Sequence, residues 1–295
     1  MLYVSPSSSR VYSHNSLSQW MLCQRRWYWY AERGLVLDVK APPLHFGGAI
    51  HEGRREWYHT GSVTKMLEAF HKAMEGSPPD ALRTPEKGEL ILKGYAKKWP
   101  LPEPFKILAN EISFRIPMPD GSTLVGRMDA VLDWDGRILV GELKTTSGGI
   151  GSYYFNGFSP SLQVDIYCYA CKHLYGRCDG ALIDAVQVCK TKEGYARHVT
   201  DRTPEDLARF EKRYMQIVAD IEAKRVDYDK VLSTGVEEQT ARDIYIQDQN
   251  MCTYFGECPY RTPLCLYNED GLIEGRYVQR EIRDVPAEKL LDGTE

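Results

Sequence analysis

The amino-acid sequence predicts an α/β fold. Segments with helical periodicity come first, three strand-like segments follow, and a helix, a further strand and a long helix complete an order that is typical of α/β layouts. With 295 residues, 43% of them hydrophobic, the chain can bury a full core. We expect a single domain over 1–295, consisting of an N-terminal helical arm at 1–45, a core at 46–225 and a C-terminal arm at 226–295.

Residues at the ends of the segments predict where helices and strands begin and end. Gly34 lies just past the first helix, where glycine commonly ends helices. Asp135 and Gly136 predict a tight hairpin turn between two strands. Thr203 and Asp206 form a capping box at the start of the last helix. The sequence predicts helices at 15–33, 48–60, 62–75, 86–98, 161–175 and 203–225, strands at 105–116, 123–134, 137–146 and 180–190, and a turn-rich segment at 250–267.

Charge and hydropathy limit the classes of partner. The formal net charge is −4, which argues against a protein covered in basic charge for nucleic-acid binding but allows a local basic groove. The sequence has no apolar run of 18 residues and no secretory signal pattern at its start, so we expect an intracellular protein with no membrane partner. Eight cysteines in a reducing compartment favour free thiols or metal ligands over disulfides.

Charged side chains interrupt a segment that begins as a buried strand. The segment 138–146, ILVGELKTT, places Glu142 and Lys144 on one face, because side chains alternate along a strand. Counting back across the hairpin brings Asp129 beside Glu142. Adjacent carboxylates favour Mg²⁺ or Mn²⁺ between them, whereas a cross-strand salt bridge to the lysine is the purely structural alternative. Glu111 either assists such a site or is an exposed strand acid.

The spacing of these groups resembles a known nuclease signature. Asp129, twelve further residues, Glu142, one residue and Lys144 resemble the PD-(D/E)XK pattern, with glutamate as the second acid. The chain departs from the usual pattern at Met128, where proline commonly precedes the first acid. The resemblance implies a restriction-endonuclease-like core, with a mixed central sheet flanked by helices.

Two further segments resemble the RecB-type branch of that superfamily. FGGAIHEG at 46–53 looks like the glycine-rich helix start that bears a metal-binding histidine, here His51. SLQVDIYCYA at 161–170 looks like the QxxxY motif of the branch, which gives Gln163 and Tyr167. Residues four apart share a helix face, so both side chains can point into one site.

The resemblance also implies a metal-dependent mechanism. Lys144 would position or deprotonate water and offset negative charge on the phosphate, and Gln163 and Tyr167 would orient the site or touch the DNA backbone. The implied ligands of one or two Mg²⁺ or Mn²⁺ ions are His51, Asp129, Glu142 and the backbone carbonyl of Leu143.

The cysteines extend the resemblance. Cys252, Cys258 and Cys265 lie after the motifs and Cys23 lies before them, a layout similar to the iron–sulfur RecB-type nucleases, which include AddB, exonuclease V and the CRISPR-associated single-strand nucleases. Four thiolates suit a [4Fe–4S] cluster that joins the N- and C-terminal regions. Zinc is the alternative, although zinc sites favour more closely spaced cysteine pairs.

The other cysteines have a simpler interpretation. Cys168 and Cys171 form a CxxC pair, which can indicate redox or zinc chemistry. They lie within a predicted helix, away from the helix N-terminus that lowers a thiol pKa. We therefore expect these two, with Cys178 and Cys189, to be buried small apolar residues.

Basic residues near aromatic ones are candidate DNA contacts. Arg25 and Arg26 precede the aromatic run 27–30, a combination found in single-strand binders, but the aromatic residues could equally belong to the core. Arg127 and Lys190 lie near the ends of predicted strands beside the site.

The resemblance implies a DNA exonuclease with a preference for single-stranded ends, in the cytoplasm of a bacterial, archaeal or phage-infected host cell. No GxxxxGK[ST] phosphate loop is present, so a helicase, recombination or CRISPR partner would have to unwind the DNA. Two alternatives remain open, a structure-specific DNA endonuclease and a DNA-end-binding assembly subunit that does not cleave.

Overall fold

The computed structural model describes residues 10–254, 256–267, 273 and 275–280. Its helices are α1 (His14–Leu22), α2 (Gln24–Trp27), α3 (Pro42–Thr60), α4 (Val63–Met74), α5 (Pro85–Lys98), α6 (Ser152–Asn156), α7 (Leu162–Tyr175), α8 (Pro204–Ser233) and α9 (Glu238–Ala241). Its strands are β1 (Val11–Ser13), β2 (Leu35–Leu37), β3 (Lys106–Pro117), β4 (Thr123–Trp134), β5 (Arg137–Thr146), β6 (Gly180–Val188), β7 (Glu193–Asp201) and β8 (Tyr277–Gln279). None of the helices in these residues is long and apolar enough to cross a membrane.

The described residues divide into two compact units. One unit comprises 10–38, 115–126 and the residues from 208 onward, and the other comprises 39–114 and 127–207. The chain passes from one unit to the other within β3, within β4 and near the start of α8. The predicted nuclease motifs lie in the second unit, and the four predicted cluster cysteines lie in the first.

A mixed sheet forms the centre of the fold, as the sequence predicts. Its strand order is β1-β4-β5-β6-β7, and β3 also pairs with β4. The β4–β5 and β6–β7 pairs are antiparallel, whereas the β1–β4 and β5–β6 pairs are parallel. A separate antiparallel pair joins β2 to β8. The parallel β5–β6 pair requires a crossover connection, which α6 and α7 supply.

The hairpin between β4 and β5 sets the register of the site. Asp135 and Gly136 both have left-handed backbones, with φ of 51° and 78°, and such a pair of positive φ angles is what a type I′ turn requires. The turn aligns Ala130 with Gly141 across the two strands. Asp129 and Glu142 are therefore the next pair of residues away from the turn, as counting from the turn predicts.

A core cluster of the second unit packs α3, α4 and α5 against the sheet. Leu143 of β5 and Val186 and Val188 of β6 meet apolar side chains of these three helices. The helical members of the cluster are Phe46, Ala49, Ile50, Trp57, Met66, Phe70, Met74, Ile91, Leu92, Tyr95 and Ala96. Each fully buried side chain of this kind contributes about 1.5–3 kcal/mol relative to exposure.

Several boundaries differ from the sequence prediction. The predicted helix at 15–33 is interrupted at Cys23, whose extended backbone separates α1 from α2. Helix α3 begins at Pro42 rather than at residue 48, because proline suits the first helical position. Strand β7 was not predicted. The capping box is confirmed, since Asp206 N–H donates to Thr203 Oγ1 and Thr203 N–H donates to Asp206 Oδ2.

Gly88 offers a test of the packing between α4 and α5. A Cβ at position 88 would lie 1.9 Å from the ring tip of Phe70, which is fully buried. We expect Gly88→Ala to lower the free energy of unfolding by about 2 kcal/mol, because overpacking outweighs the better helix propensity of alanine. Denaturant unfolding followed by circular dichroism measures the change.

Gly48→Ala is the matched control. Gly48 lies in helix α3, it is exposed, and a Cβ there meets nothing within 4 Å. Alanine should therefore leave the free energy of unfolding unchanged or raise it by up to about 1 kcal/mol. Equal stability of the two variants would contradict the packing described for Gly88.

Candidate active site

One face of strand β5 packs into the core, and the other face bears the polar side chains of a site. Leu143 is 1% exposed and packs against α3 and α5 in the core cluster. Glu142 and Lys144, on either side of it in the chain, point to the opposite face, where both contact Gln163 of α7. The alternation explains how a strand with an apolar start can also carry a buried acid and a lysine.

Asp129 is held at the site by three donors that all approach one carboxylate oxygen. Leu143 N–H donates to Asp129 Oδ2 at 2.8 Å, His51 Nδ1 lies 3.2 Å from the same oxygen, and Arg54 Nη2 lies 3.4 Å from it. Burial alone would raise the pKa of Asp129, but these donors outweigh it and lower the pKa to about 2. Asp129 is therefore an anion at neutral pH.

A closed hydrogen-bonding network links the lysine to α7. Lys144 Nζ donates to Glu142 Oε1 at 2.6 Å and to Gln163 Oε1 at 2.7 Å. Gln163 Nε2 donates to Glu142 Oε1 at 3.0 Å and to Tyr167 OH at 3.2 Å. The two helical residues, one turn apart on α7, thus fix the position of the ammonium group, which retains 28% side-chain exposure.

Glu142 is the less satisfied of the two acids on the central strands. Its side chain is 5% exposed, and its Oε2 atom is buried without a hydrogen-bond partner. Burial, followed by the charge of Asp129, raises the pKa of Glu142 above its ordinary value, although Lys144 opposes the shift. An unpartnered buried carboxylate oxygen is an acceptor that a cation could satisfy.

Glu111 belongs to the site more closely than its sequence context indicates. Ligand atoms of His51, Glu111 and Asp129 all lie within 4.8 Å of one another. Glu111 has φ of 54° inside β3, a left-handed backbone that is strained for a residue with a side chain and that clusters at functional sites. Burial and the charge of Asp129 raise its pKa, and Arg127 Nε lies 3.0 Å from its Oε2.

Glycines in α3 allow the histidine-bearing helix to approach its neighbours closely. A Cβ at Gly47 would lie 3.0 Å from Thr145 Oγ1 on β5. A Cβ at Gly53 would lie 2.8 Å from Leu92 Cδ1 on α5. Gly47 therefore allows α3 to lie close to the strand of the site, and Gly53 allows it to lie close to α5.

The structure brings together most of the predicted site residues, namely His51, Asp129, Glu142, Lys144, Gln163 and Tyr167. Leu143 contributes its N–H to Asp129, whereas the prediction concerned its carbonyl. Arg127 lies beside Glu111 and remains half exposed. Lys190 is exposed in the turn after β6. Arg54 is an addition that the structure makes to the predicted site. Glu111, for which the sequence left two interpretations open, lies with His51 and Asp129.

Residues 11–263 match the sequence model of the PD-(D/E)XK nuclease superfamily. The chain belongs to this superfamily. A solved structure of a candidate exonuclease from Eubacterium rectale is 14% identical, covering 74% of this chain and 86% of that chain, with a TM-score of 0.46. The solved structure of the protein SSO0001 is 15% identical, covering 58% of this chain and 74% of that chain, with a TM-score of 0.27. None of the curated proteins matches the chain.

The four predicted cluster cysteines of this superfamily member lie within one unit. Asp248 N–H donates to Cys23 Sγ at 3.4 Å, and Cys258 N–H donates to the carbonyl of Cys252 at 2.9 Å. Burial raises the pKa of Cys258, and it raises that of Cys265 to about 11. The charge of Cys23 adds to both shifts. Among the described residues, however, no three of these sulfur atoms lie within 4.8 Å of one another, so the structure does not bring the four thiols together as a ligand set.

Arg25 and the aromatic run after it are buried. Arg25 is 6% exposed, and its guanidinium donates to the carbonyl of Tyr245 and to Asp243 Oδ1. Trp27 and Trp29 are fully buried. The structure therefore places this segment in the core of its unit, which was the alternative to a single-strand-binding surface, and it leaves Arg26 partly buried.

The remaining cysteines mostly follow the apolar interpretation. Cys168, Cys171 and Cys178 are buried in the second unit. Cys189 is the exception, because it lies in the turn after β6 with intermediate exposure.

We expect Glu142→Gln to raise the melting temperature of the metal-free protein at neutral pH. Because burial raises the pKa of Glu142, the folded state favours the protonated acid and loses stability as the pH rises from the ordinary pKa through the raised one. The melting temperatures of Glu142→Gln and of the parent, measured in EDTA from about pH 4 to about pH 8, should differ at the upper end of this pH range and converge at the lower end.

Asp129→Asn is the matched control with the opposite sign. Its pKa is lowered to about 2, so its charge stabilises the fold above the ordinary pKa, and that stability is lost as the pH falls through the lowered one. The asparagine variant should melt below the parent at neutral pH. If both variants melt below the parent at neutral pH, the unfavourable burial of Glu142 is disproved.

Proposed function

We propose that the protein is a metal-dependent DNA exonuclease that hydrolyses phosphodiester bonds and prefers single-stranded ends. The observation that carries this proposal is the convergence of His51, Glu111 and Asp129 within 4.8 Å of one another. Lys144 and Glu142 lie beside them as a hydrogen-bonded pair. This arrangement combines ligands for a hard cation with an ammonium group that can reach a phosphate.

The donor set suits Mg²⁺ or Mn²⁺. Carboxylate oxygens are the preferred ligands of Mg²⁺, and imidazole is an accepted ligand of Mn²⁺ and later metals. His51 and Asp129 are expected to hold the cation with Glu142 and the carbonyl of Leu143, and Glu111 is an added carboxylate donor. The unpartnered Oε2 of Glu142 and the strained backbone of Glu111 support this fit.

When bound, a divalent cation supplies Lewis acidity that polarises a phosphodiester and makes water a better nucleophile. Lys144 Nζ can donate a hydrogen bond to the attacking water or to a phosphate oxygen and offset the negative charge that develops there. Glu142 Oε1 and Gln163 Oε1 each accept a hydrogen bond from Nζ, which leaves one N–H of the ammonium group for water or substrate. The side chain of Lys144 is 28% exposed.

Gln163 and Tyr167 act as positioning residues in this proposal. The amide oxygen of Gln163 accepts from Lys144 Nζ, and its amide nitrogen donates to Glu142 Oε1 and to Tyr167 OH. Three partners therefore determine the orientation of the amide. The phenol of Tyr167 also packs edge-on against Phe114, with ring centroids 6.1 Å apart. A fixed ammonium group needs less reorganisation when charge develops on the substrate.

The expected partner is DNA with free ends, and Arg127 and Lys190 remain candidate contacts to its backbone. Because DNA is the substrate, the expected compartment is the cytoplasm of a bacterial, archaeal or phage-infected host cell. A helicase, recombination or CRISPR partner would supply unwinding.

We expect Lys144→Ala to fold like the parent and to lower the cleavage rate by on the order of 10²–10³-fold, as the loss of one electrostatic donor does elsewhere. Cleavage of end-labelled linear and circular single-stranded DNA in Mg²⁺ or Mn²⁺ measures the effect. Lys172→Ala is the matched control, since Lys172 is exposed on α7, and it should cut at the rate of the parent.

The same assay separates the three functions. Cleavage of linear strands alone supports the exonuclease, cleavage of circles supports the endonuclease, and binding without cleavage supports the assembly subunit. A Lys144→Ala variant that cuts at the parent rate would disprove the assignment of the site.

We also propose that Cys23, Cys252, Cys258 and Cys265 hold a structural [4Fe–4S] cluster, with Zn²⁺ as the alternative. The order of the chain supports the proposal, since one of these cysteines lies before the nuclease motifs and three lie after them, and four thiolates are the usual ligands of such a cluster. The cluster would link the N-terminal arm at 1–45 to the C-terminal arm at 226–295. A link across so long a loop removes closure entropy from the unfolded chain.

Protein purified in air should therefore be brown and absorb visible light. Cys258→Ser should lose most of this absorbance, because three thiolates hold the cluster less tightly. Cys189→Ser, which alters a cysteine outside the set, should keep it. Colourless parent protein that contains one equivalent of zinc would replace the iron–sulfur assignment and leave the nuclease proposal intact.

A further inference from the structure

The segment between β5 and α7 joins two elements of the site and presents an exposed aromatic side chain. Residues 147–151, SGGIG, follow the strand that bears Lys144 and lead into the five-residue helix α6. Tyr153, the second residue of α6, is 93% exposed. Its neighbour Phe155 is 7% exposed and packs on the ring of His198, with centroids 5.2 Å apart.

This segment is anchored at both ends. Gln187 Nε2 of β6 donates to the carbonyl of Gly148 at 3.0 Å. At the other end, Arg202 Nη2 donates to the carbonyl of Phe158 at 2.8 Å while its Nε donates to Asp165 Oδ1. Asp165 lies on α7 between Gln163 and Tyr167, so the buried Arg202 ties the aromatic segment to the helix of the site.

Both ends of the segment lie at the site. Lys144, which precedes the segment, donates from Nζ to Oε1 of Gln163, which follows it, at 2.7 Å. Between these two residues the ring of Tyr154 packs edge-on against Phe155 and Phe158, with centroids 5.4 Å away in each case. Tyr153 therefore lies on a loop that leaves the site and returns to it.

We infer that Tyr153 is a stacking surface for an unpaired base of the DNA strand whose phosphate enters the site. This inference rests on the proposed nuclease function and specifies its substrate as single-stranded at that nucleotide. A tyrosine ring stacks on any unpaired base, whereas the bases of an intact duplex are already stacked on one another. The free exposure of the ring and the firm anchoring of its segment suit that task.

The hairpin that the segment contacts carries two exposed lysines. The loop at 147–151 contacts β6 through Gln187 near the β6–β7 turn, and that turn carries Lys190 and Lys192, both exposed. Lysines beside an aromatic surface are the usual composition of single-strand grooves. A partner protein would also cover an exposed tyrosine, but it would not explain why the tyrosine lies on the segment that joins Lys144 to Gln163.

The experiment tests whether Tyr153 contacts one particular base of the strand. Anisotropy in EDTA gives the affinity of the parent and of Tyr153→Ala for labelled single-stranded oligonucleotides in which one abasic nucleotide is moved along the strand. We expect Tyr153→Ala to weaken binding by about tenfold, the scale of one stacked base. At one position the abasic nucleotide should weaken binding to the parent by a similar factor and leave the variant unaffected. In Mg²⁺ or Mn²⁺ the same loss should appear in KM, with kcat little changed.

Two further variants keep the result specific. Tyr153→Trp should retain parent affinity, because it preserves a stacking surface, and Tyr175→Ala, which removes a partly exposed tyrosine at the end of α7, should also retain it. Parent affinity in Tyr153→Ala, or equal abasic losses in parent and variant at every position, would overturn the inference. Binding with the expected coupling but without cleavage would instead disprove the proposed nuclease function and leave the stacking surface in place.

Discussion

The alternation of side chains along β5 is the constraint on which the site depends. Leu143 points into the apolar cluster beneath α3, α4 and α5, so Glu142 and Lys144 are forced to the opposite face. The same residue provides the N–H that holds Asp129 Oδ2. Core packing and site geometry therefore depend on the same short stretch of backbone. A shift of the backbone at Leu143 would also change the position of Glu142 relative to Asp129.

The two central acids experience opposite environments although they are neighbours across the hairpin. Asp129 receives three donors on one oxygen, which stabilise its charge. Glu142 is buried with one oxygen unpartnered, and Glu111 is held on a strained backbone. These features are unfavourable for the fold on its own, and the rigid surroundings maintain them. Such a combination is expected at a site where the binding of a cation relieves unfavourable features of the fold.

Local signals in the sequence were sufficient to predict the hairpin and the pairing of Asp129 with Glu142. The resemblance to the superfamily was needed to predict His51, Gln163 and Tyr167 as site residues. The Asp135-Gly136 turn and the strand period determine which residues face one another, so the pairing near Glu142 could be counted. Strand β7 lacked such a signal, because EGYARHVTD mixes polar and small residues on both faces. The break at Cys23 and the burial of Arg25 result from partners more than 200 positions away, Ile246 and Tyr245, which no local pattern reveals.

The close contact at Gly53 has a consequence for how this chain can vary. A methyl group there would fall between Leu92 and the carbonyl of Met66, one from each neighbouring helix. Gly53 lies only two residues after His51, so the helix cannot retreat to make room without carrying the imidazole with it. A substitution at Gly53 therefore requires either Leu92 or the imidazole of His51 to move, while Gly48, a few residues earlier and exposed, has room for a Cβ.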